Sequence, residues 1–146
     1  MISCTEFIPV YSEAFKFLEE TQGRAGLEAF WVRLGRAYLG ELRQQALARG
    51  LRGCFDWWTQ ALKEEASDFR TTLDEDAGVL EIHLRCCPSM KRLLTLEHMT
   101  PHPQYCEHCN VLYRETLEQL GFDYEVDLSE CTQAVCRRYV KRRSTT

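Results

Sequence analysis

A chain of 146 residues, 45% hydrophobic and 27% charged, has enough apolar material for a packed core and is not disordered in composition. A net charge of −4 supplies no global field for nucleic acid or an anionic membrane surface, so neither is an expected partner. No run of ~20 apolar residues offers a membrane span. Met1 to Glu20 lacks the basic flank and apolar run of an export signal, which makes the cytoplasm the expected location.

The first half, residues 1–67, reads as helices. Ser12 can cap a segment running to Gln22, with Gly23 as its stop. From Ala25 to Ala48, Leu27, Phe30, Trp31, Leu34, Tyr38, Leu42 and Ala46 recur at three- and four-residue steps, which predicts one long amphipathic helix ended by Gly50. Gly35 and Gly40 inside it suit close helix packing. A third helix is expected over Phe55 to Ser67, with Trp58 and Leu62 on its apolar side.

The period then changes. Phe69, Thr71 and Leu73 alternate with polar residues, Asp74 to Gly78 supplies turn chemistry, and Val79 to Cys86 alternates again. Leu80, Ile82, Leu84 and Cys86 share one face of this hairpin, with Glu81, His83 and Arg85 on the other. Pro88 stops the strand and a short helix is expected over Ser89 to Leu96. A loop flanked by Pro101 and Pro103 holds His102, and a helix follows from Tyr105 to Leu120, closed by Gly121. Phe122 to Leu128 and Cys136 to Arg142 read as the last two strands. The expected fold is α+β: an antiparallel sheet of about four strands with helices on one face, in a single domain whose residues 68–146 carry the sheet.

Eight cysteines without an export signal point to reduced thiols. Cys4 and Cys54 stand alone and read as core filler. Cys106, Cys109, Cys131 and Cys136 form a constellation: a CxxC pair opening a helix, answered by two thiols at strand ends. Zinc takes four such donors in a tetrahedron, so zinc or another divalent metal is a candidate cofactor, with His108 or His102 as substitutes for one thiolate. A reduced structural cluster and a redox pair are the competing readings. A helix amino terminus lowers a thiol pKa, but dithiol oxidoreductases place CxxC after a strand, not after a proline-rich loop.

His83, Cys86 and Cys87 form a second group. By alternation Cys87 shares the side of His83 and Arg85, which suits an activated nucleophile as well as a half-exposed packing thiol. Trp57, Trp58, Trp31 and Tyr38 are candidates for the lining of a ligand pocket. The cations from Arg137 to Arg143 read as a solvated strand end.

The stretches VLEIHLRCCPS, PQYCEHCNVLYRETLEQLGFDYEVDLSEC and AVCRRYV resemble the L-2-amino-thiazoline-4-carboxylic acid hydrolase family. More distantly they are similar to 4-vinyl reductase domains, small-molecule-binding modules with a TRAPP-subunit-like fold. The resemblance covers about Phe69 to Val140. It implies hydrolysis of a small cyclic amidine-type substrate or, alternatively, non-catalytic small-molecule sensing around a structural zinc. In those sensors a helix cysteine, a carboxylate and two later cysteines hold the metal. Here Leu128 stands where the carboxylate is expected and Glu130 is the nearest one, so a site using both Cys106 and Cys109 is the substitute. If all four late cysteines bind metal, the site is closed and chemistry moves to Cys87, Cys86, His83 and His102. A small-molecule ligand is the expected partner, and a homodimer the expected oligomer.

Overall fold

The computed structural model describes residues 6–144; Cys4 lies outside them. Helix α1, Phe7–Tyr38, is two helical stretches joined at Gly23, whose φ of 72° and ψ of 178° leave helical geometry. Glycine adopts that conformation without a Cβ clash. Ser12 does not cap the first stretch. It lies inside the helix, buried, and its Oγ accepts a hydrogen bond from the His102 backbone N–H at 2.8 Å. Ser12 serves tertiary packing in place of capping.

The expected long helix from Ala25 to Ala48 is broken at Leu39 (φ −91°, ψ 23°), so α2 spans Gly40–Arg49. Its apolar stripe serves two cores. Leu27 and Trp31 pack with Ile8, Phe15, Met90 and Tyr105, whereas Leu39, Leu42 and Ala46 pack under the sheet. One straight helix cannot face both, and the turn at Leu39 redirects it. Gly35 does permit a close approach: a Cβ there would meet the Leu112 carbonyl oxygen at 2.9 Å, on the helix that crosses α1.

Helix α3, Leu51–Glu64, follows directly. Strands β1, Asp68–Asp74, and β2, Val79–Cys86, form the first hairpin. Then come α4, Pro88–Leu94, and α5, Glu107–Gln119, followed by β3, Phe122–Asp127, and β4, Cys136–Arg142. A short 3-10 turn, Cys131–Gln133, lies in the β3–β4 connection. The four strands are antiparallel in the order β1-β2-β4-β3, which makes the fold α+β with a helical first half.

One sheet face is covered. Leu80, Ile82 and Leu84 of β2, Tyr124 of β3 and Val140 of β4 are buried there against Trp58, Leu62 and Leu117 of α3 and α5. The other face carries Glu81, His83, Arg137 and Lys141, all half-buried. Among the described residues, no helix is long and apolar enough to cross a membrane.

Candidate functional site

Where the start of α5 meets the ends of β2 and β4, a cavity of about 390 Å³ opens between α1, α3, α5 and the covered sheet face. Five thiols line it. Cys106 and Cys109 come from the start of α5, Cys131 from the 3-10 turn, Cys136 from the start of β4, and Cys87 from the residue after β2. The seven described cysteines are all free of disulfides.

Cys87 therefore joins the late cysteines instead of His83. Alternation predicts side-chain direction only while the strand continues, and β2 ends at Cys86. Beyond it the Cys87 backbone N–H donates to the Ala134 carbonyl at 2.7 Å, which ties the end of β2 to the approach to β4. Burial pushes the Cys87 thiol up to about 11, more than a backbone hydrogen bond lowers it. Cys86 and His83 stay off the cavity, as does His102. His102 is 3% exposed; its Nε2 contacts Glu19 Oε2 at 2.8 Å, and its ring packs edge-on against Phe15 and Trp31. It holds the first stretch of α1 to the loop, a packing role. Of the aromatic candidates, Trp57, Trp58 and Tyr38 line the cavity, while Trp31 belongs to the second core.

His108 faces the thiols. Its Nδ1 contacts the Tyr105 carbonyl oxygen, which can only accept, so Nδ1 carries the proton and Nε2 is the acceptor in the neutral ring. Nε2 stands 3.5 Å from Cys109 Sγ. Burial pushes Cys109 up, but the charges of His108 and Arg138 outweigh it and bring the thiol down to about 7. His108 moves the opposite way: burial lowers its pKa, and the facing Cys109 charge and hydrogen bonds raise it further than that. Its partner in the CxxC, Cys106, is pushed far up, by burial first and then by the charge of Cys109.

Arg138 is the residue that sequence reasoning missed. It is 6% exposed, lines the cavity, and its guanidinium lies 5.2 Å above the Tyr113 ring. Among the described residues no ion pair involves it. It bonds to the Cys136 side chain, yet its Nε has no hydrogen-bond partner, and neither has Trp58 Nε1 on the same wall. The solvated strand end thus holds one inward cation, with Arg137, Lys141 and Arg143 paired outward to Glu81, Glu125 and Asp123. The signal was present in the sequence: Cys136 and Val140 point inward, so period two sends Arg138 inward with them.

Among the described residues no group of three His, Cys, Asp or Glu side chains is arranged to hold an ion. Arg138 adds a positive charge to the cavity, which opposes a second cation there. Zinc binding by Cys106, Cys109, Cys131 and Cys136 is a separate proposal that elemental analysis of purified protein tests directly. No family model, curated protein or solved structure matches the chain.

Proposed function

We propose that this chain is a small-molecule-binding domain whose ligand is a compact anion with an apolar body, held in the cavity with its charge on Arg138. The carrying observation is the guanidinium of Arg138, buried on the cavity wall with no carboxylate in ion-pair contact among the described residues; Glu65, on the same cavity, feels its charge without pairing with it. A buried charge without a direct counterion is expensive, and a ligand carboxylate relieves that cost. The volume of about 390 Å³ falls in the range of small-ligand pockets. Trp57, Trp58 and Tyr113 supply apolar walls for a ring or a short chain.

Thermal unfolding with benzoate, succinate and 2-aminothiazoline-4-carboxylate, each beside its neutral amide, tests this reading. A ligand at ~100 times its Kd raises stability by ~2.7 kcal/mol. The expected result is a rise in Tm with an acid, absent with the amide and absent in Arg138→Leu. Equal shifts with acids and amides, or none with any, would falsify the reading.

Hydrolysis of a cyclic amidine-type substrate, the activity implied by the resemblance, is the second reading. The contact of Cys109 with His108 on the same wall favours it. Formation of ring-opened product from 2-aminothiazoline-4-carboxylate is the measurement; no turnover at any pH from ~6 to ~9 removes it.

A further inference from the structure

We propose that Cys109, with His108 as its general base, is the covalent nucleophile of this cavity, acting on compact anionic compounds that carry an acyl or imidoyl carbon. The inference rests on the ligand-binding reading and adds chemistry to it. Three geometric facts carry it. Cys109 Sγ lies 3.5 Å from His108 Nε2. The Tyr105 carbonyl fixes the ring through Nδ1, which leaves Nε2 to take the thiol proton. Both side chains line the same cavity as the unpaired guanidinium of Arg138. Nucleophile, base and a third group orienting the base form the arrangement that thiol-dependent acyl transfer requires.

Among the described residues, no other cavity thiol contacts a histidine. Cys106 and Cys87 are held protonated by burial, and Cys136 is raised by burial as well. Around Cys109 the charged and titratable neighbours come from four further elements: Arg138 and Cys136 on β4, Tyr124 on β3, Glu65 at the end of α3 and Cys87 after β2, with His108, Tyr113, Cys106 and Tyr105 on or beside its own helix. Arg138 favours the thiolate, whereas Glu65 opposes it.

The reaction balances without an oxidant or reductant. As the bond from Sγ to the substrate carbon forms, the thiol proton passes to His108 Nε2 and the C=O or C=N π pair moves onto its heteroatom. Collapse of that adduct breaks the bond to the leaving amine or alcohol, which takes the proton from His108. A thioester or thioimidate is left on Cys109. Water then attacks that carbon, giving a proton to His108, and the departing thiolate recovers the proton.

Two measurements on the intact protein test the proposal. The first is iodoacetamide labelling followed by peptide mass mapping across pH. A neutral reagent reads the nucleophile independently of Arg138. Cys109 should label first among the cavity thiols, and at pH 7 a few-fold faster than an ordinary thiol, because the His108 Nε2 contact favours its thiolate while a more acidic thiolate is a weaker nucleophile. His108→Gln should slow that labelling. The wild-type profile alone decides the point should that variant fail to fold. The second is mono-p-nitrophenyl succinate, which should release a burst of about one p-nitrophenolate per chain and leave a succinyl group on Cys109. The burst should be lost in Cys109→Ser.

Labelling of Cys106 at the rate of Cys109, or labelling of Cys109 no faster than an ordinary thiol, overturns the nucleophile while anion binding stands. Zinc retained at one equivalent with Cys109 unreactive overturns it too. Fast labelling of Cys109 with no anion-dependent rise in Tm overturns the anionic substrate class and the binding reading, and leaves the nucleophile in place.

Discussion

Cys54 in the packed core and Cys109 on the cavity wall are the same side chain in regions that treat it oppositely. Cys54 is fully buried among Trp58, Leu42 and Leu80, and burial, against a backbone hydrogen bond that lowers it, pushes its thiol up to about 12. Cys109 is also enclosed, yet His108 and Arg138 bring it down to about 7. Two arginines repeat the contrast. Arg137 is paired with Glu81 at 2.9 Å on the outer sheet face, and Arg138, its neighbour in sequence, faces the cavity with its Nε unpartnered. Both regions hold buried polar atoms without a hydrogen-bond partner: Trp31 Nε1 and the Tyr124 hydroxyl in the cores, Arg138 Nε and Trp58 Nε1 on residues that line the cavity. Of these, only Arg138 carries a full charge, and a ligand reaches it through the cavity.

The largest expected effect separates packing from binding. Ile82→Ala, in the covered sheet face, should cost ~2–5 kcal/mol in urea unfolding, because it opens a hole among residues that cannot collapse into it. A cost under ~1 kcal/mol would show that this face is not the tight core described. Next comes the arginine pair. Arg138→Leu should weaken anion binding by ~100-fold, a change of ~2.7 kcal/mol, and Arg137→Leu should leave it unchanged. Equal losses in calorimetric titration would place the anion outside the cavity.

A smaller effect is read through pH. The folded-state pKa values of Cys54 and Cys87, about 12 and about 11, lie above the ordinary value of 9.0. The unfolded chain therefore releases these protons first as pH rises. Their contribution is fully present below pH 9.0 and is lost as pH climbs through the folded values. Urea midpoints should fall between pH ~8.5 and ~10.5, with a shallower slope in Cys54→Ala. An unchanged slope would show that Cys54 is not the buried thiol seen here. The smallest effect is Glu81→Ala, which breaks a half-buried pair on the outer sheet face and should cost no more than ~1 kcal/mol, with anion binding intact.

Much of the fold was legible because its signals are local. Alternation along β2 located Leu80, Ile82 and Leu84 on the covered face, and the CxxC does open a helix. The break at Leu39 was not legible, since the apolar stripe runs straight through it and only the presence of two cores bends the chain. For Arg138 two local signals conflict: alternation along β4 points it inward, while the run of cations around it is the mark of a solvated strand end. Cys87 fell outside what alternation can tell, because the strand had ended one residue earlier.

The sequence by itself determined the element types, the covered face of the sheet and the thiol-bearing start of α5, all set by periodicities of a few residues. Tertiary structure alone decided that Cys87 belongs with Cys106, Cys109, Cys131 and Cys136, that His108 contacts Cys109 while His102 contacts Glu19, and that Arg138 turns to the cavity with no ion pair among the described residues. The physical reason is range. Propensity and periodicity act along the chain, whereas a pKa or an unpaired charge depends on neighbours that folding brings in from α1, α3 and β4.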